Sequence, residues 1–230
     1  MELLMQLYIM PVIKLQNVRV EQRGQPILIN ANTEINQGEF VYLTGHTEAE
    51  KRALFGLIIF EELPSSGVVS VGEYDSQQIR KMDIPRLRRQ VGVVFQDFKL
   101  LHHRTVSENV AFALEVTGVS RRMIKRKTQA ILSDVGLLHK RNAYPDELSA
   151  YERLRVAIAR ALVNDPLILL ADEPAANLDS EATEHVMAIF QKINVRGIAV
   201  LIATHDTVLE DRYSRRILQL ENEAIEQIAS

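Results

Sequence analysis

At 230 residues, with 47% hydrophobic and 25% charged side chains, the chain is long enough for one large domain and too apolar to be disordered. A formal net charge of −3 argues against bulk attraction to nucleic acid or to anionic lipid. The absence of cysteine excludes disulfides and thiolate metal sites and fits a reducing compartment.

In chain order, Met1–Met10 comes first. It is apolar but carries Glu2 and no basic residue, so it lacks the charged start of a signal peptide. It is about half the roughly 20 residues needed to cross a bilayer. Met10 opens a stretch that already reads as a first strand, so the residues before it read as dispensable, with a short hydrophobic tag as the alternative. Val12–Val20 alternates apolar and polar residues, Pro26–Ile35 repeats the pattern after a turn at Gly24, and Gly38–Thr44 reads as a buried strand. A helix is predicted from about Lys51 to Phe60, then a turn ending at Gly67 and a strand over Val68–Val71. Val91–Phe95 is a continuous run of the kind found in a sheet covered on both faces. Helical spacing of apolar residues then marks Val106–Val116, Arg121–Val135 and Ser149–Val163. Strand and helix alternate again through Leu167–Ala171, Ser180–Asn194 and Ile198–Ala203, and two short strands close the chain. The pattern predicts an α/β core over about 11–95 and 165–230, with an antiparallel β portion at its start and a helical subdomain inserted at about Gln96–Asn164.

The chemistry collects at the ends of the predicted strands. Leu167–Ala171 runs into Asp172, Glu173 and Pro174, which puts two carboxylates at the carboxyl edge of a sheet, where ligands bind in open α/β folds. Asn177-Leu178-Asp179 follows, and Ala203-Thr204-His205-Asp206 ends the next strand. Upstream stand Val94-Phe95-Gln96-Asp97, and Leu148-Ser149 with the helix Arg155–Leu162. Strands often end in acids, and a single histidine after a strand is most often solvated. Order and spacing together make the case.

In that order and at that spacing, these residues resemble the ATP-binding-cassette domains, a P-loop NTPase fold, over almost the whole chain. The resemblance implies ATP and Mg²⁺ as cofactors. It makes Asp172 and Gln96 the metal-facing residues, Glu173 the base that orients water, and His205 the contact to the γ-phosphate. Ser149 and Asp179 would face nucleotide from the signature motif and the D-loop. Val91–Leu101, Arg104–Val106 and Glu108–Val116, with Leu87–Gln90 and Leu43–His46, are similar to the bacterial cell-division family FtsE. That resemblance implies a cytoplasmic homodimer, peripheral on the inner face of the cell membrane, bound to the integral membrane protein FtsX and controlling cell-wall hydrolases. It also implies that Phe98, Lys99, Leu100 and Leu101 form an exposed apolar groove for a helix of that partner. Exporters of lipoproteins and macrolides share much of the pattern.

One segment departs from the family. A P-loop reads G-x-x-x-x-G-K-[ST], with backbone N–H groups around phosphate and a hydroxyl on the metal. Here it reads Gly45-His46-Thr47-Glu48-Ala49-Glu50-Lys51-Arg52. Glu48 and Glu50 stand where the family has glycines, and Arg52, which has no acceptor, stands in place of the hydroxyl. A unit-charge pair at 4 Å and an effective dielectric of 20 costs about 4 kcal/mol, against about −8 kcal/mol for a whole micromolar site. The signature is altered in parallel to Ser149-Ala150-Tyr151-Glu152, and no aromatic residue lies near Val20–Gln22 to stack on adenine. The expected function is therefore a cassette subunit of an FtsEX-like complex with ATP binding and hydrolysis weakened or lost. The alternative is an active ATPase of that complex or of a related exporter. A glutamate at 48 or 50 is expected to stand in for phosphate by pairing with Lys51 or Arg52, or else to point into solvent. His102-His103 reads as a solvated pair and Arg121–Lys127 as an exposed helix face, with lipid head groups as the second reading.

Overall fold

The computed structural model describes residues 11–45, 47–176, 178–206 and 215–228. The expectations for Met1–Met10, His46 and Asn177 fall outside them.

Two long strands open the fold, β1 (Pro11–Gln22) and β2 (Gln25–Asn36). The two residues between them, Arg23 and Gly24, both have positive φ (54° and 77°), the geometry whose twist matches an antiparallel hairpin. β4 (Ser66–Val71) and β5 (Tyr74–Asp75) join them in an antiparallel sheet of order β2-β1-β4-β5. Gly67 is required where β4 meets β1. Its φ is 84°, and a Cβ there would lie 2.3 Å from the Asn17 carbonyl oxygen.

The second sheet contains β3 (Phe40–Gly45), β6 (Val91–Val94), β7 (Ile168–Asp172), β8 (Ala199–Ala203), β9 (Arg216–Glu221) and β10 (Ala224–Ile228). Its order is β10-β9-β3-β8-β7-β6, parallel throughout except for the β9–β10 hairpin. Helix α1 (Glu48–Ile58) follows β3, and short α2 (Ile84–Arg89) precedes β6. Helices α3 (Val106–Glu115), α4 (Arg121–Asp134) and α5 (Ala150–Leu162) lie in the chain between β6 and β7, and α6 (Ser180–Val195) joins β7 to β8.

The alternation of side chains across the parallel sheet divides the core in two. Val41, Leu43, Leu170 and Leu201 face one cluster with α1 and the antiparallel sheet. Tyr42, Leu169, Val200 and Ile202 face the other, with residues of α3, α5 and α6. Both faces are covered, which is why β7 and β8 read as unbroken apolar runs. One expectation needs correction, and one element was absent from the sequence reading. Helix α1 starts at Glu48, three residues ahead of the expected Lys51, because Thr47 caps it and accepts from the Glu50 N–H. Six-residue α2 was not foreseen; one turn and a half leaves too little periodicity to detect.

Candidate functional site

Parallel strands in the order β3-β8-β7-β6 bring their carboxyl ends to one edge. Gly45 closes β3, Asp172 closes β7 with Glu173 next, His205 lies two residues past β8, and Gln96 two past β6. Four segments distant in sequence therefore converge where α1 begins.

At the centre is Lys51, only 2% exposed. Its Nζ lies 2.7 Å from Glu48 Oε1, 2.7 Å from His205 Nε2 and 3.4 Å from Glu173 Oε1. Glu48 Oε1 also lies 3.2 Å from His205 Nε2, so lysine, glutamate and histidine form a triangle of mutual contacts. A buried ammonium needs such partners, and three of them enclose this one. The hydrogen bond from Lys51 holds the Glu48 carboxyl below the usual carboxylate range, with His205 adding to the effect. Glu50 turns the other way: the Thr47 hydroxyl donates to its Oε2 at 2.6 Å. Thr47 thus occupies both the backbone N–H and the carboxylate of the first turn.

Residues Glu48, Ala49 and Glu50 are already helical here, so the backbone that would curl around phosphates forms the first turn of α1. The glutamate carboxylate at Lys51 and His205 is an anion in the setting that an ATP phosphate would need. As folded, Glu48 competes with a phosphate for Lys51 and His205.

The position of the metal-binding hydroxyl is altered as well. Arg52 lines a cleft of about 620 Å³ with Gln96, Asp97, Phe55 and Asp172. Burial raises the Asp172 carboxyl above its ordinary value, and the charge of Glu48 pushes the same way, while Lys51 and Arg52 oppose it. A guanidinium already supplies cationic charge to this carboxylate and can donate but not coordinate. Arg52 therefore offers no ligand to Mg²⁺, and Asp172 and Gln96 are the residues of this cleft that would face a metal.

The remaining expected residues stand apart from Lys51. Ser149 is the N-cap of α5, in a capping box with Glu152, whose other oxygen pairs with Lys140 at 2.6 Å. Tyr151 lies under the Arg155 guanidinium, 4.3 Å from ring centroid to Cζ. Asp179 caps α6 by accepting from the Ala182 N–H at 2.8 Å. Among the expected groove residues, Leu100 is 8% exposed and belongs to the second core cluster, so it is no docking surface. Phe98 and Leu101 are half-buried and Lys99 is exposed. The sequence reading missed Thr204, whose hydroxyl donates to Glu173 Oε2 at 3.4 Å and accepts from the Asp206 N–H at 3.0 Å. Nothing but its place before His205 could have marked it.

Residues 28–176 match the ABC transporter family. The cell division ATP-binding protein FtsE of Mycobacterium tuberculosis is 45% identical over 197 residues, covering 86% of each chain. That of Escherichia coli strain K12 is 43% identical over 197 residues, covering 86% of this chain and 89% of its own. Among solved structures, a dimeric ATP-binding cassette bound to ADP and Pi superposes with a TM-score of 0.82 at 30% identity, covering 94% of this chain and 98% of its own. CbiO1 of Clostridium perfringens, part of an ABC transporter complex, gives a TM-score of 0.86 at 26% identity, covering 94% and 87%.

Proposed function

The chain belongs to the ABC transporter family, and on that footing we propose that it is the cassette subunit of an FtsEX-like cell-division complex that docks without relying on ATP. One observation carries the weakened-nucleotide part of this reading: the Glu48 carboxylate contacts both Lys51 and His205, at 2.7 and 3.2 Å. With Glu48 and His205 half-exposed, solvent screening reduces such contacts to about 1 kcal/mol, which an incoming phosphate would have to displace before gaining any contact of its own. The similarity to cell division ATP-binding proteins supports the cell-division part, and solved dimeric cassettes support a homodimer.

No helix among the described residues is long and apolar enough to cross a membrane. Attachment through an integral membrane partner resembling FtsX is part of the proposal and is supported by the similarity to cell division ATP-binding proteins. The active-ATPase alternative would need the first turn of α1 to unwind and Glu48 to leave Lys51. Co-purification from membranes tests the proposal. An FtsX-like membrane protein co-expressed with this chain should be retained in nucleotide-free buffer with apyrase present. Retention only on addition of Mg-ATP would overturn the reading.

A further inference from the structure

We propose a second ligand site, remote from Lys51 and unrelated to the reading above: the groove between α3 and α4 binds a phosphate-bearing ligand. The groove holds about 780 Å³, within the range of about 300–1,000 Å³ usual for small-molecule sites. Arg121 and Lys125 of α4 and Arg141 of the following loop line it. None of the three has an ion-pair partner among the described residues, whereas nearby Lys127 pairs with Asp165 and Lys140 with Glu152. The single acid on the rim, Glu115, is engaged by Arg104 at 3.1 Å.

Two further features point to an anion. Helix α4 starts with Arg121 and Arg122 and has no acid in its first turn. Cations there oppose the helix dipole, and an anion would relieve both. In the groove wall, Thr128 is 1% exposed and its hydroxyl has no hydrogen-bond partner. Buried hydroxyls are rarely left so. Ser107 N–H donates to the Arg141 carbonyl at 2.9 Å, which ties the arginine's loop to α3 at the mouth.

The apolar lining is small, essentially Ala111, Val119 and Ile124. That is too short for the i, i+3, i+4, i+7 anchors of a docked helix, which favours a compact anion over a protein segment. Arginine forks and an ammonium together match phosphate oxygens. The phosphate could belong to a free metabolite or to a phospholipid headgroup, and the test separates them.

Binding of inorganic phosphate and pyrophosphate is measured by calorimetry, and co-sedimentation with phosphatidylglycerol vesicles against phosphatidylcholine vesicles. Each is repeated on an Arg121→Glu/Lys125→Glu/Arg141→Glu variant. These side chains are exposed and unpaired, so circular dichroism should show an unchanged fold. Salt-sensitive binding that falls at least tenfold in the variant is expected, in the phosphate arm for a free ligand or in the vesicle arm for a headgroup. Binding in neither arm, binding unchanged in the variant, or capture of a polyglutamate peptide with no phosphate binding would overturn the proposal.

Discussion

At the scale of residues, opposite environments act on two carboxylates within one site. Glu48 is held below the carboxylate range by Lys51, so it contributes stability that is present above the ordinary range and is lost as pH falls through its lowered value. Asp172 is raised by burial, so its charge opposes folding at neutral pH and this cost disappears once acid protonates it. Glu48→Gln should therefore be less stable than the native chain at about pH 7, with the gap closing at about pH 3, whereas Asp172→Asn should be more stable at about pH 7, its gain also vanishing in acid. Urea denaturation at both pH values checks the two signs. Equal shifts in one direction would refute the assignment. A pairing of Glu48 with Lys51 is one of the sequence's expectations, as an anion at a helix start. The i, i+3 contact that makes it is not, because the expected helix begins only at Lys51. His205 is not placed by any local rule: it reaches Lys51 across 154 positions only because β3 and β8 are neighbours.

At the scale of elements, the change at the P-loop is a change of secondary structure. Glutamates at 48 and 50 favour a first helical turn, whereas glycine costs about 1 kcal/mol relative to good helix formers and permits the unusual torsions of a phosphate loop. A Glu48→Gly/Glu50→Gly/Arg52→Ser variant should melt lower than the native chain without ligand and rise with Mg-ATP, where the native chain does not. Differential scanning calorimetry reads both, and a ligand-independent melting temperature in the variant would count against the account. The strand pattern was readable because β7 and β8 are apolar on both faces, and the amphipathic helices because each covers one side of the core. Leu100 escaped that logic. It lies in a segment without regular structure, where no periodicity separates a buried leucine from an exposed one. Leu100→Asp should destabilise the fold by about 3 kcal/mol or more by burying a charge, a loss visible in denaturant midpoints. Gly67→Ala should cost more than about 1 kcal/mol, through positive φ and collision with the Asn17 carbonyl.

At the scale of the whole molecule, the sheet gathers Lys51, Asp172, Glu173, His205 and Gln96 at one edge, while two of the chain's own charges, Glu48 and Arg52, stand among them. The fold class and that edge followed from the sequence, because strand-end acids in a βαβ order admit few arrangements. The contact of Glu48 with His205 did not, since it depends on side-chain directions at the start of α1. Isothermal titration of the native chain with ATP and Mg²⁺ tests the central claim most directly. The account predicts no Mg²⁺-dependent binding tighter than roughly millimolar. A Mg²⁺-dependent micromolar site would show that Glu48 yields its place and would contradict it.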